Sequence, residues 1–282
     1  MYKTDPALQR VMHQVFPAAQ AAGSVSSLHG LTGLTYQLEC AGRPLLARRQ
    51  PEAGQEIPGV NRQREYRLLR KLSAADLAPE PLGWQSPWLL LAWTPGENAA
   101  EMPGDSFEQQ LLPLLCRLHR QPPVGAPLNL PALLWRYWQL CHPRDKSARW
   151  LRQLRRLTNR GVPCALRKAP LHLDIHRGNL LQTRQGLQLI DWEYAADGDV
   201  ALELCMLQYG EVITPAGWAR WLQRYASAMS LNAGVLSQQV EHWRPWVRLL
   251  IASWYQLRYQ QSQDGELKIL AREAWRQIEK SQ

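Results

Sequence analysis

The segment from Leu171 to Asp191 constrains the fold of this 282-residue chain more than any other. It opens with Leu171-His-Leu-Asp-Ile-His-Arg-Gly-Asn-Leu-Leu181, and a second apolar run ends at Asp191. Between these runs, Gly186 predicts a β-hairpin with a three-residue turn in which the glycine is left-handed. In that register Asn179 lies opposite Asp191, with the two Cβ atoms ~5 Å apart. The segment therefore predicts a loop followed by a hairpin that brings polar side chains together.

Three oxygen-bearing side chains of this segment indicate its chemistry. The amide oxygen of Asn179 and the carboxylate of Asp191 suit a hard cation such as Mg²⁺. Asp174, in the loop before the hairpin, is placed to accept a proton from a substrate hydroxyl. Phosphoryl transfer requires this combination, and His-x-Asp-x₄-Asn followed by a strand ending in Asp is the order of kinase catalytic loops. We predict a kinase acting on a hydroxyl, with His172 and His176 supporting the catalytic loop.

A second hairpin is predicted near the N-terminus, where apolar residues alternate from Leu34 to Cys40. The pair Ala41-Gly42 can form a two-residue turn before a return strand from Arg43 to Arg49. That register pairs position 38 with 45, 36 with 47 and 34 with 49. Arg49 then shares a face with Leu45 and Ala47, whereas Arg48 points to the opposite face.

A helix over residues 60–72 carries an inward-pointing carboxylate. Glu65 lies on the same face as three leucines at helical spacing, namely Leu68, Leu69 and Leu72. A carboxylate on an apolar face needs a cation to offset its desolvation. Arg49 is the first candidate partner and Arg48 the second. The alternative is that Glu65 lies at the rim of the helix and pairs with Arg62.

The predicted secondary structure changes along the chain. Residues up to about 93 carry short β-like runs, including a buried strand over Trp88–Trp93. Residues from about 100 onward are mainly helical, interrupted by the β-like stretch at 179–191. One predicted helix spans Phe107–His119, and Ser147 is positioned to cap another. This order predicts an α+β fold with a β-rich part preceding a mainly helical one.

Composition excludes several classes of protein. Hydrophobic residues make up 45% and charged residues 20%, which is typical of a packed globular protein. The sequence has neither a run of ~18 apolar residues nor a signal-peptide pattern, so no membrane partner is expected. The five cysteines form no metal-binding or redox pair, which favours the cytoplasm. The net charge of +9 is densest from Arg144 to Lys168, where a solvated amphipathic helix is favoured over a nucleic-acid site.

Nearly the whole chain resembles the aminoglycoside phosphotransferase and choline kinase superfamily. The resemblance implies a protein-kinase-like bilobal fold, with a small β-rich N-lobe over residues 1–93 and a larger, mainly helical C-lobe over 94–282. It further implies the ATP contacts. They are a phosphate-covering loop with Gly30 and Gly33, Arg49 or Arg48 in place of the strand lysine, Glu65 as its ion-pair partner, and an adenine hinge at Leu91, Ala92 and Trp93.

Within that superfamily the chain is similar to the bacterial thiamine kinase family. The similarity lies in four segments: Pro170–Asn179, Leu189–Ala195, Asp197–Glu203 and Trp243–Trp246. It implies that ATP and thiamine are the substrates, that Mg²⁺ is the cofactor and that thiamine monophosphate is formed in a salvage step. A positively charged thiazolium ring favours aromatic faces and carboxylates. The candidate substrate contacts are Trp192, Glu193, Asp197 and Trp246.

Three other functions remain open from the sequence. The substrate can be another small alcohol, such as choline, ethanolamine or an aminoglycoside. A metallohydrolase is possible if His172, Asp174 and His176 ligate a metal ion. The basic helix within Arg144–Lys168 can bind nucleic acid. Only the kinase hypotheses give the ordered set of Asp174, Asn179 and Asp191 a role, and we therefore expect no nucleic-acid partner.

Overall fold

A computed structural model describes residues 5–17, 25–27, 34–40, 42–210 and 212–279, with only the backbone described for 25–27. The chain divides into two compact units. The first comprises the described residues up to Ala126 together with His172–Ala196. The second comprises Pro127–Leu171 and the described residues from Asp197 onward. The predicted boundary between residues 93 and 94 stays a prediction.

Helices and strands are named in chain order. The helices are α1 (Pro6–Val15), α2 (Arg62–Leu72), α3 (Gly104–His119), α4 (Leu130–Leu140), α5 (Ala148–Arg160), α6 (Val200–Tyr209), α7 (Pro215–Ala228), α8 (Ala233–Ser262) and α9 (Gly265–Glu279). The strands are β1 (Val25–Ser27), β2 (Thr35–Cys40), β3 (Arg43–Arg49), β4 (Pro81–Gln85), β5 (Trp88–Ala92), β6 (Glu97–Asn98), β7 (Lys168–Leu171), β8 (Leu180–Thr183), β9 (Gly186–Leu189) and β10 (Ala196–Asp199). The predicted α+β composition is confirmed.

The first unit is built around a five-stranded antiparallel sheet with the strand order β1-β2-β3-β5-β4. The predicted register of β2 and β3 is confirmed, because Leu38 pairs with Leu45 and Tyr36 pairs with Ala47. Cys40 pairs with Arg43, so two residues separate the paired ends of the strands, of which Ala41 lies outside the described residues. The predicted strand at Trp88 is also confirmed, and β5 lies between β3 and β4.

Helix α1, which the sequence reasoning did not predict, covers one face of this sheet. Its buried side chains Leu8 and Val11 belong to the same apolar cluster as Leu45 and Ala47 of β3. Asp5 caps the helix by accepting from the backbone N–H groups of residues 7 and 8. It also accepts a hydrogen bond of 2.9 Å from the indole N–H of a tryptophan on β5. The apolar face of β3 is therefore taken by α1.

Helix α2 packs its apolar stripe inward and begins at a polar cap. The side chain of Asn61 accepts a 2.8 Å hydrogen bond from the backbone N–H of Arg64. The predicted helix and the inward orientation of Glu65 are confirmed, since Glu65 is buried with Leu68 and Leu69. Alternation along β3 places Arg48 on the opposite face from Ala47, and Arg48 contacts Glu65. The polar face of β3 thus meets α2.

A second sheet in the first unit has the order β6-β8-β9 and contains the predicted hairpin. Its register differs from the prediction by one residue. Thr183 pairs with Gly186, and Leu180 pairs with Leu189, so the turn has two residues instead of three. The backbone N–H of Ile190 donates to the carbonyl of Asn179 at 3.0 Å. The prediction that Asn179 lies directly opposite Asp191 is therefore wrong.

The second unit is mainly helical. Ser147 caps α5 as predicted, accepting a 3.1 Å hydrogen bond from the backbone N–H of Trp150. Asp199 lies at the end of β10 and caps α6, and its buried carboxylate accepts hydrogen bonds from Gln239 and Trp243 of α8. These contacts tie two helices to one strand end. Among the described helices, none combines the length and apolar character needed to cross a membrane.

Candidate active site

Arg48 of β3 lies at the centre of an ion-pair network in the first unit. Its Nη1 donates to Glu65 of α2 at 2.6 Å. Its Nη2 donates to two carboxylates, Glu193 at 2.8 Å and Asp191 at a short distance. Desolvation opposes the charge of Arg48, but the three surrounding carboxylates raise the pKa of its guanidinium above the usual value. Arg48 therefore stays charged and joins β3, α2 and the segment that follows β9.

Arg49, the first candidate partner of Glu65, does not fill that position. It pairs with the exposed Glu52 and lies over the ring of Trp88, with its Cζ atom 5.9 Å from the ring centroid. The prediction that Glu65 holds Arg49 is wrong, and the second candidate, Arg48, is confirmed as its partner. The physical reason is α1, because it covers the face of β3 to which Arg49 belongs.

Arg62 adds a second cation to the network. It is fully buried and donates through Nη1 to Glu65 at 2.7 Å. Its Nη2 lies 3.0 Å from the same Glu193 oxygen that Arg48 contacts. Two arginines thus share two buried carboxylates, while Asp191 is reached by Arg48. The alternative that places Glu65 at the rim of the helix is wrong, although Arg62 is a partner of Glu65 in the core.

Asp174 and Asn179 face each other across the catalytic loop. The amide nitrogen of Asn179 donates to the carboxylate of Asp174 at 2.9 Å and to its backbone carbonyl at 3.0 Å. Desolvation raises the pKa of Asp174 to about 6, and the negative charge of Asp191 adds to that rise. The charge of His172 and the Asn179 hydrogen bond act in the opposite direction. The side chain of Asp174 is 38% exposed, so it combines a raised pKa with access from outside.

His172 connects this loop to the segment that follows β9. It is buried, and its Nε2 lies 2.8 Å from the carbonyl oxygen of Ile190. Its ring packs edge-on against Trp192, with the centroids 4.7 Å apart. The indole N–H of Trp192 donates to the carbonyl of Leu189 at 3.0 Å. These contacts join the loop before β8 to the chain after β9, and they favour a supporting role for Trp192 over contact with substrate.

His176 lies near Asp174 on the exposed side of the loop. Its Nδ1 accepts a 3.1 Å hydrogen bond from the backbone N–H of Gly178, and its Nε2 lies 3.9 Å from the Asp174 carboxylate. Desolvation lowers the pKa of His176, although Asp191 acts in the opposite direction. His176 thus shapes the turn that leads to Asn179, in agreement with the predicted supporting role.

Two residues of the site have left-handed backbone conformations. Leu173, before the candidate base, has φ 65°, and Asp191, after β9, has φ 63°. Side chains other than glycine rarely adopt this region, and such positions cost on the order of 1–3 kcal/mol where the surrounding structure enforces them. At Asp191 the left-handed turn lets its carboxylate reach Arg48 even though the hairpin register is shifted by one residue.

The donor set fits a magnesium ion. Asn179 uses its amide nitrogen toward Asp174, so the amide oxygen is the atom that would meet a metal ion. The Asp191 side chain is 38% exposed, whereas those of Glu65 and Glu193 are almost completely buried. Desolvation opposes ionisation of Asp191, but the charge and hydrogen bond of Arg48 hold its pKa below the usual value. An amide oxygen and an ionised carboxylate are ligands that Mg²⁺ prefers.

The metallohydrolase alternative lacks a ligand cluster. Within the described part of the chain, no group of three or more histidine, cysteine, aspartate and glutamate side chains is arranged to hold a metal ion. His172 is turned toward the carbonyl of Ile190 and does not join Asp174 and His176. A magnesium ion held by Asn179 and Asp191 would instead keep positions for phosphate and water oxygens, as is usual for magnesium in phosphoryl transfer.

The remaining predicted residues are distributed over both units. Gly30 and Gly33 lie outside the described residues. Leu91 and Ala92 are at the end of β5, and the backbone N–H of Ala92 donates to the carbonyl of Glu80 at 2.9 Å. Trp93 follows directly. Asp197 and Trp246 belong to the second unit and are both buried. Their predicted roles toward ATP and substrate stay predictions.

Sequence reasoning missed the partnership between Arg62 and Glu193. Glu193 had been assigned to the substrate, yet it accepts contacts from Arg48 and Arg62 and is 4% exposed. The three-residue spacing of Arg62 and Glu65 on one helix indicated their own pairing but not the contact with Glu193. Because Glu193 is buried, its carboxylate is better suited to hold the two arginines in place than to contact substrate.

Comparison with known proteins gives a consistent assignment. A sequence model of the family described as "Phosphotransferase enzyme family" matches residues 27–237. The thiamine kinase of Escherichia coli strain SMS-3-5 is 35% identical over 268 residues, which is 95% of this chain and 94% of that protein. The similarity therefore extends over both compact units.

Solved structures show the same fold at lower identity. The choline kinase LicA from Streptococcus pneumoniae aligns with a TM-score of 0.74 and 16% identity, covering 97% of this chain and 99% of that chain. A choline/ethanolamine kinase family protein from Mesorhizobium loti gives 0.69 and 18%, covering 98% and 93%. The predicted protein-kinase-like fold class is confirmed.

Proposed function

This chain belongs to the phosphotransferase enzyme family, and we propose that it transfers the γ-phosphoryl group of ATP to the hydroxyl of thiamine. The products are thiamine monophosphate and ADP. The observation that carries the choice of thiamine is the 35% identity to a thiamine kinase over 95% of the chain. The choline kinase likenesses support the fold alone, because their identities are 16% and 18%.

The reaction requires a base, and Asp174 fills that role. Its carboxylate is partly exposed and is oriented by the amide of Asn179 at 2.9 Å. Asp174 accepts the proton of the primary hydroxyl as the oxygen bonds to the γ-phosphorus, while the bond from that phosphorus to the ADP oxygen breaks. Positioning of this kind supplies most of the acceleration in phosphoryl transfer.

The phosphates of ATP are proposed to meet Mg²⁺ held by Asn179 and Asp191. When bound, this ion neutralises the charge on the phosphate oxygens. Arg48 takes the position of the strand lysine and is the arginine that Glu65 orients. Leu91, Ala92 and Trp93 are proposed to contact adenine, and Gly30 and Gly33 to cover the phosphates.

The proposal is tested by measuring ADP release with thiamine, choline, ethanolamine and an aminoglycoside, each with and without magnesium. Thiamine should give the highest kcat/KM, and mass spectrometry should identify thiamine monophosphate. Turnover with thiamine should stop when EDTA removes the metal. A higher kcat/KM with another alcohol would reject the proposed substrate while keeping the phosphotransferase assignment.

The cellular setting follows from the same reaction. We propose that the enzyme acts in the cytoplasm, where ATP is available and where its cysteines stay reduced. All five cysteines are free in the structure. Fractionation of cells that produce the tagged protein would test this location.

A further inference from the structure

We propose that Glu193 and Arg62 are positioning residues for the metal site, acting on Asp191 through Arg48. This inference rests on the proposed function, because it takes Asp191 to be a magnesium ligand. It removes Glu193 from the predicted substrate contacts. It also gives a function to Arg62, a buried cation that the reaction itself does not use.

One nitrogen of Arg48 is shared between two carboxylates. Nη2 of Arg48 donates to both Asp191 and Glu193, and its contact with Glu193 is 2.8 Å long. Replacement of the Glu193 carboxylate by a neutral group would leave Asp191 as the only described anionic acceptor for that nitrogen. Asp191 would then be drawn toward the guanidinium and away from the position where its oxygen meets a metal ion.

Glu193 is itself held by two arginines. The Oε2 atom of Glu193 lies 2.8 Å from Arg48 and 3.0 Å from Arg62. Arg62 also contacts Glu65 at 2.7 Å, and Glu65 contacts Arg48 at 2.6 Å. The four residues therefore form a closed ring of alternating charges, in which the contact of Arg62 with Glu193 is an ion pair without hydrogen-bond geometry. Such a ring fixes the plane of the Arg48 guanidinium more strongly than the single pair of Arg48 and Glu65.

Asp191 is much more exposed to solvent than the four residues of the ring. The side chains of the ring members are between 0% and 4% exposed, whereas that of Asp191 is 38% exposed. The ring holds two cations and two anions, and Asp191 adds one negative charge at the open side. An incoming cation therefore meets Asp191, and the buried ring sets the orientation of its carboxylate. Partners that orient metal ligands in this way typically contribute about 10–100-fold to metal affinity.

The test compares Glu193→Gln and Arg62→Met with the wild type. Mn²⁺, which accepts the same oxygen ligands, is titrated into the enzyme with a non-hydrolysable ATP analogue, and free Mn²⁺ is measured by electron paramagnetic resonance. We expect Mn²⁺ affinity to fall about 10-fold or more in each variant. Excess magnesium should then recover most of the kcat. Arg67→Met is the matched control, since Arg67 lies on the exposed face of the same helix.

The two variants separate positioning from simple charge. If only net charge mattered, Arg62→Met would strengthen Mn²⁺ binding by removing a cation, and Glu193→Gln would weaken it. Opposite effects in the two variants would overturn the proposal, as would unchanged affinity in folded Glu193→Gln protein. If Arg62→Met does not fold, Glu193→Gln still decides the matter through its metal affinity and its magnesium rescue. A double variant that loses less than the sum of the single losses would support the ring.

No alcohol is present in the metal titration, so its outcome is independent of the substrate. Failure of thiamine to react would reject the proposed substrate without changing the Mn²⁺ result. Unchanged Mn²⁺ affinity beside normal thiamine turnover would reject only the positioning role.

Discussion

Asp174 combines two properties that a proton acceptor needs. Its carboxylate is partly exposed, and the amide of Asn179 fixes its direction. Desolvation raises its pKa, and the negative charge of the nearby Asp191 adds to that rise. A carboxylate whose pKa approaches the working pH is a better base than an ordinary one, provided that it remains ionised. The chemistry at this residue therefore depends on its neighbours as much as on its identity.

The substitution Asp174→Ala should lower kcat with thiamine by about 10²–10⁴-fold, because it removes the proposed general base. ATP binding, measured by equilibrium titration with a non-hydrolysable analogue, should remain because no predicted nucleotide contact is lost. Asp105→Ala, at an exposed position in the first turn of α3, is the control and should retain wild-type kcat. Near-normal turnover by Asp174→Ala would remove Asp174 from the mechanism.

The raised pKa of Asp174 also predicts a pH dependence. The carboxylate accepts a proton only when it is ionised, so kcat/KM should fall as the pH decreases through about 6. The profile should have a slope of one on its acid side. In His176→Gln the acid limb should persist, because the limb is assigned to Asp174. Loss of the limb in that variant would reassign the titrating group to His176.

At the scale of elements, strand β3 contacts a different helix on each of its two faces. Strand β3 directs Leu45 and Ala47 toward α1, while Arg48 on its other face contacts Glu65 of α2. The position of α2 therefore decides whether Glu65 reaches its arginines. The N-terminal cap at Asn61 lies only four residues before Glu65 and fixes the first turn of that helix.

Removal of this cap should destabilise the first unit. Asn61→Ala loses the acceptor for the backbone N–H of Arg64, which should lower the free energy of unfolding by about 1 kcal/mol. Denaturant unfolding followed by circular dichroism would measure this change. Gln63→Ala, on the exposed face of the same helix, should change it by less than about 0.5 kcal/mol. Equal losses in both variants would mean that the cap contributes nothing specific.

For the whole molecule, ligand binding should raise the stability of the folded state. A ligand that binds only the folded state, at a concentration of 100 times its Kd, stabilises that state by about 2.7 kcal/mol. ATP with magnesium should therefore raise the Tm more than ATP with EDTA, as measured by differential scanning fluorimetry. In Asp191→Ala the additional increase from magnesium should disappear. A magnesium increment that survives this substitution would place the metal elsewhere.

Local features of the molecule were predictable because their causes are local. Alternation from Leu34 to Cys40 predicted the first hairpin and its register, and the apolar spacing around Glu65 predicted α2. The second hairpin was predicted to exist, but its register was wrong by one residue. Two- and three-residue turns differ little in sequence. The left-handed φ of Asp191 then brings its carboxylate to Arg48 despite that shift.

The sequence alone determined which residue types are available for phosphoryl transfer, namely Asp174, Asn179 and Asp191 in that order, because the spacing of a motif is a property of the chain. Only the tertiary structure decided which arginine Glu65 binds. Helix α1 covers the apolar face of β3, so Arg48 and not Arg49 is directed into the network. The partnership of Arg62 with Glu193 also joins residues that are far apart in the sequence, and no local pattern encodes such a contact.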